Sequence, residues 1–192
     1  MLVRNTLALS LLATGLSAQT ATPPAPEQQI AAAVSALPSE ERAGATVLGY
    51  DAAGKLVTLR KGSGDMTCLG HNPKDEAFHV ACYHHAMEPF MARGRALRES
   101  GVTGAQVDTV RFREVRQGKL PMPKGPAAMY QLFGGSFDAA TGEVSGARPL
   151  YVIYIPFATA KSTGLSAKGS ATAPWIMFPG TPKAHIMFTP RM

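Results

Sequence analysis

The sequence predicts an α+β fold, a single domain built mainly on antiparallel sheet with two or three helices packed against it. Three observations carry this expectation. Short segments with period-two apolar spacing, bounded by Gly, Pro, Asp or Asn, occupy both the early and the late parts of the chain. Between them, two segments repeat their apolar residues at helical spacing. The 192 residues hold 19 Gly and 15 Pro, an excess of turn-formers that excludes a helical bundle or coiled coil, in a length that suits one core. Helices grouped between two sets of strands define the α+β class.

The chain opens with Arg4 and an uncharged, largely apolar run over residues 7–16, followed by small residues at Ser17 and Ala18. This pattern predicts a secretory signal peptide, residues 1–18, cleaved after Ala18. The run is shorter than a membrane span, no later segment is long and apolar enough to span, and no transmembrane anchor is expected. Residues 19–26 carry Pro23, Pro24 and Pro26 and read as an extended linker. Residues 27–192 then form the single α+β domain.

Ile30, Ala33, Val34 and Leu37 fall at helical spacing, so a short amphipathic helix is expected over 27–37, ended by Pro38. Residues 45–50 and 55–60 are β-prone and flank the turn Asp51-Ala52-Ala53-Gly54, a hairpin signal. A second turn at 61–65 leads to a short strand at 66–69. Residues 78–83 alternate, with Phe78, Val80 and Cys82 on one face. Met87, Phe90, Met91, Gly94 and Leu97 make the apolar stripe of a helix stopped at Gly101. Thr103-Gly104-Ala105-Gln106 matches a capping box that opens a second helix to about Gln117, although Val107, Val110, Phe112 and Val115 also suit a strand. Residues 128–133 and 150–155 read as strands joined by a turn at 138–143. The near-continuous apolar character of 150–155 marks it as a central strand buried on both faces. Residues 175–178 and 184–188 flank Pro179-Gly180-Thr181-Pro182, which has turn chemistry.

Composition narrows the compartment and the partners. The formal net charge is +6 and the pI about 9.6. Inside a cell that balance would suggest nucleic acid, but an exported chain does not meet it, so no nucleic acid partner is expected. An anionic envelope surface fits a basic exported protein better, and the localisation expected is periplasmic or secreted. Two cysteines, Cys68 and Cys82, in an oxidising compartment predict a disulfide. Cys82 points to the core side, where Cys68 can meet it from a neighbouring strand.

The Cys68 and Cys82 pair, the segment 78–98 and the ending W-x-M-x-P-G-T-P-x-x-H-x-M over residues 175–187 carry a likeness. The chain resembles a group of small exported bacterial proteins of unknown function with that ending. The resemblance implies export and a single domain, and it carries over no functional residues and no cofactor.

Four clusters offer chemistry. His84, Met87 and Met91 would share a face if the helix began at His84, and imidazole with thioether selects copper(I). Against this, Met87 and Met91 coincide with the core stripe. Trp175, Met177, His185 and Met187 share strand faces by period two and would form an aromatic-walled ligand pocket with one titratable group, unless His185 is a core histidine bonded to a backbone carbonyl. Ser136 follows two glycines but lacks the pattern of a nucleophile elbow, so a triad with His185 and Asp65 would have to be assembled in space. For zinc the spacing fails: His79 and His84 lie on opposite strand faces, His84 and His85 are adjacent, and no HExxH or second cysteine pair is present, so no structural or catalytic zinc is expected. Finally, Arg93, Arg95 and Arg98 with Arg111, Arg113 and Arg116 make two basic helices that would form an anion surface if adjacent. The function expected is an exported, soluble, non-enzymatic binding or envelope-associated domain without a cofactor. The rivals are a metal-handling protein using Met and His and a small hydrolase with a dispersed Ser/His/Asp triad.

Overall fold

Residues 22–190 are described by a computed structural model. The signal peptide expected at 1–18 and linker residues 19–21 lie outside these residues. The elements run α1 (Pro26–Val34), α2 (Ser39–Arg42), β1 (Thr46–Tyr50), β2 (Leu56–Arg60), β3 (Met66–Leu69), β4 (His79–His84), a 3-10 turn (His85–Met87), α3 (Glu88–Glu99), α4 (Ala105–Arg116), β5 (Ala127–Phe133), β6 (Ser136–Asp138), β7 (Glu143–Ser145), β8 (Arg148–Tyr154), α5 (Ala160–Thr163), β9 (Trp175–Met177) and β10 (His185–Phe188). Eight strands form one mainly antiparallel sheet in the order β2-β1-β3-β4-β5-β8-β10-β9, and β6 and β7 form a separate ribbon. The fold is α+β, as expected.

Several elements differ from the sequence expectation for physical reasons. Strand β3 runs parallel to β1, with Val47 beside Cys68, so the first hairpin does not continue as a meander. The strand buried on both faces is β4 rather than β8. Val80 and Cys82 point to one core and Tyr83 to another, while Tyr151 of β8 is 41% exposed. Both strands are apolar enough, and only their place in the sheet separates them. Helix α1 stops at Val34, yet Ala36 and Leu37 beyond it are still buried. Pro26, assigned to the linker from sequence, is its first residue, a position that wastes no N–H bond. The expected capping box at Thr103 does not form: the N-cap of α4 is Gly104, at φ 56°, with no side-chain bond. The segment is nonetheless helical, because Val107 and Arg111 one turn apart pack inward.

The two sheet faces are covered differently. On one, α1 closes over β1, β3 and β4, burying Ala33, Leu37, Val47, Cys68, Val80 and Cys82. Gln29 of α1 is 5% exposed, and its amide donates to the carbonyl of Tyr50 (2.9 Å) and accepts from the Tyr50 N–H (2.8 Å). It pairs with β1 as a neighbouring strand would, where β3 has ended. The contact explains Gly49, since a Cβ there would lie 2.7 Å from the Gln29 oxygen and 2.4 Å from Leu59. The other face carries α3 and α4, with Met87 and Phe90 packed on Tyr83, Met129, Val152 and Tyr154. Arg93 clamps the two helices by hydrogen bonds to both carboxylate oxygens of Glu114 (2.8 and 2.6 Å).

Candidate functional site

Cys68 and Cys82 face each other in register across β3 and β4 and are disulfide-bonded, as the sequence predicted. Both are fully buried, so the bridge is a core element.

The structure separates the copper candidates. His84 is the last residue of β4 and points to the same face as Val80 and Cys82, with its Nδ1 accepting from the Ala86 N–H (3.1 Å). Met87 is fully buried in the opposite core, and Met91 packs against that same core. A strand end has intervened between His84 and the helix, so the i, i+3, i+7 face does not exist.

The ligand-pocket candidates do share one face. His185 stands opposite Met177, and Met187 opposite Trp175. His185 is 5% exposed, its Nδ1 donates to the Lys183 carbonyl (2.7 Å), and its ring lies against Tyr154 and Phe178 (4.9 and 5.8 Å between centroids). Burial lowers its pKa, assisted by the Lys183 charge and opposed by the backbone bond. This is a core histidine satisfied by a carbonyl. Beside it, burial pushes Tyr154 up to about 12. Asp108 takes hydrogen bonds from Arg111 and from Lys183 (2.9 Å) that outweigh its own burial and lower its pKa. Arg111 stacks over Phe90 at 3.9 Å, and its Nε is buried without a partner.

The dispersed triad is not brought together. Ser136 sits in the β6–β7 ribbon with its hydroxyl against that of Ser145 (3.2 Å), while His185 is committed to Lys183 and Asp65 lies beside His85. The basic helices are adjacent, but Arg93, Arg95 and Arg111 are spent on Glu114, Glu88 and Asp108. Arg95 also donates to the Tyr83 hydroxyl (2.9 Å), which in turn donates to Glu88. Burial and the Glu88 bond push the Tyr83 pKa up. This closed network ties β4 to α3.

Sequence reasoning did not foresee two features. The first is a cleft of about 430 Å³ on the face covered by α1. Beyond β4 that cover ends, and the cleft opens over Ala128, Tyr130, Tyr151, Ile153 and Phe188, walled by the 172–174 loop and by Thr189 and Pro190. In the sheet Ala128 stands opposite Ile153, and Tyr130 opposite Tyr151, so these side chains share a face. The two tyrosine rings meet edge to face at 5.4 Å. None of Trp175, Met177, His185 or Met187 lies in its wall. Burial raises the Tyr130 pKa, and the charges of Glu41, Tyr151 and Glu40 raise it further. The second feature gathers Asp65, His84 and His85 at the end of β4.

Comparison with known protein families, curated proteins and solved structures finds no match for the chain. Among the described residues no helix is long and apolar enough to cross a membrane.

Proposed function

We propose that the protein is a non-enzymatic binding domain that holds a small, uncharged apolar or aromatic molecule in the cleft over β5, β8 and β10. One observation carries the reading. A cleft of about 430 Å³ lies on a sheet face, lined by Tyr130, Tyr151, Ile153 and Phe188. Small-molecule sites run from roughly 300 to 1,000 Å³ and are mostly apolar with a few placed polar atoms, here the tyrosine hydroxyls. The Glu40 and Glu41 charges felt at Tyr130 disfavour a carboxylate or other anionic ligand. Export belongs to the same proposal and is supported by the buried disulfide, which persists in an oxidising compartment. The likeness to small exported proteins and an association with an anionic envelope surface are further proposals that rest on the C-terminal signature and the basic charge.

Nile red, an uncharged fluorophore, tests the cleft. Saturable uptake of one dye per chain is expected, displaced by decanol and far less by decanoate. Ala128→Phe should fill the cleft and abolish uptake in a folded protein. Uptake unchanged by Ala128→Phe would overturn the reading. A concentration-dependent dimer lost in Tyr151→Ala would assign the face to a second copy instead.

A further inference from the structure

We propose that Asp65, His84 and His85 form a binding site for a divalent transition-metal ion, Zn²⁺ or Cu²⁺. The backbone builds the cluster from two directions. Met66 pairs with His84 across β3 and β4, and the His85 N–H donates to the Asp65 carbonyl (2.7 Å). These bonds hold the residue before β3 beside the residues that end β4. One ligand atom from each of the three side chains lies within 4.8 Å of the others. His85 Nδ1 and Asp65 Oδ1 are 3.3 Å apart. In a tetrahedral site with bonds of about 2.0–2.1 Å, neighbouring ligand atoms stand roughly 3.4 Å apart, so this edge is already at coordination distance. The other edges, at up to 4.8 Å, have to contract, and the His85 and Asp65 side chains that would move are 56% and 75% exposed.

The donor set decides the metal class. Two imidazoles and one carboxylate suit zinc or copper(II), whereas calcium and magnesium take oxygen ligands. The surroundings favour a cation as well. A cleft of about 460 Å³ is lined by Asp65 and His84 together with Glu40 and Glu41. Three of the chain's 13 acidic residues therefore line one cleft with His84, and His85 stands beside Asp65, in a protein of formal net charge +6. His84 accepts the Ala86 N–H on Nδ1, so coordination through that nitrogen transfers the amide to water. Ala86 is only half-buried, which keeps the exchange inexpensive. Adjacent histidines fail every linear zinc motif, and here a cross-strand aspartate completes them.

Isothermal titration of the untagged, EDTA-stripped protein with zinc sulfate and with copper sulfate tests the site. One equivalent should bind, with affinity falling as pH falls because the imidazoles must be neutral to coordinate. His85→Ala and Asp65→Asn should each weaken binding at least tenfold, whereas His79→Ala, on the far end of β4, should leave it unchanged. Both substitutions are on exposed side chains, and circular dichroism confirms that each variant is folded. Copper-loaded protein should show two-nitrogen hyperfine structure in its electron paramagnetic resonance spectrum, reduced to one in His85→Ala. No saturable binding by the parent, or equal binding by His85→Ala, would overturn the proposal. Nile red uptake by His85→Ala should stay at the parent level, which keeps this site and the apolar cleft separately testable.

Discussion

The half of the sheet around β3 and β4 is sealed on both faces, while the half formed by β5, β8 and β10 is sealed on one. On the sealed side α1 covers one face and the α3 turn the other, and Cys68, Cys82, Val80 and Tyr83 are at most 1% exposed. Two strands away, Val152 remains buried beneath the helices, yet Tyr151 next to it is 41% exposed. The difference is one of reach. A nine-residue helix such as α1 is about 13.5 Å long, and strands repeat every ~4.8 Å, so its main contacts reach from β2 to β4 and no further. An eight-stranded sheet is roughly 34 Å wide. At the far end Ala160 of α5 and Leu165 pack over the buried Ile176 and Ala184, and the uncovered middle is the cleft.

This contrast can be broken by substitution, beginning where the largest effect is expected. Phe90 is 1% exposed and lies under the Arg111 guanidinium. Phe90→Ala should cost about 3–5 kcal/mol in urea unfolding, because it opens a cavity and strips Arg111 of its stacking partner. The double change of Cys68 and Cys82 to Ser should cost about 2–5 kcal/mol, read in the same assay, since the bridge closes a loop of sequence separation 14. A cost below about 1 kcal/mol would show that the sealed half does not depend on its crosslink.

His185 sharpens the comparison through pH. Its folded pKa is lowered by burial, so the unfolded chain binds a proton that the folded chain refuses. Stability is then fully present above the unfolded value of about 6.5 and declines as pH falls below it. Asp108, whose pKa is also lowered, adds a further loss only below about pH 4. His185→Phe should cost about 1–3 kcal/mol at pH 8 by leaving the Lys183 carbonyl unpaired, and should flatten the decline between pH 6.5 and 5. An unchanged pH profile would mean that other groups carry the decline.

The smallest effect belongs to the open half. Tyr151→Ala should change stability by no more than about 0.5 kcal/mol, because the side chain is exposed at the cleft rim. The same change should lower Nile red affinity. A large destabilisation would move Tyr151 from the cleft into the packed core.

Much of the fold was legible because local patterns and long-range contacts agree. The hairpin of β1 and β2 follows from Asp51 to Gly54, whose Asp51 carboxylate takes the Ala53 and Lys55 N–H groups, both at 2.9 Å. The stripe of Met87, Phe90 and Leu97 predicted which side of α3 is buried. The cleft was not legible, since Tyr151 and Ile153 read as apolar strand residues whether or not a helix lies above them. Nor was the cluster of Asp65, His84 and His85, because Asp65 and His85 are joined by the pairing of β3 with β4 and by no repeat in the chain.

By itself the sequence determined the α+β class, the cysteine pair, the strands and helices with strong periodicity, and the confinement of His185 to one strand face with Met187. These depend on the alternation of apolar and polar residues and on turn chemistry, which neighbouring residues impose on one another. Only the tertiary structure decided that β3 lies parallel to β1, that β4 rather than β8 is enclosed on both faces, and that His84 stands with Asp65 instead of Met87. Those outcomes depend on strand order and on how far each helix reaches across the sheet. Contacts between residues distant in the chain set both, and local spacing holds no record of them.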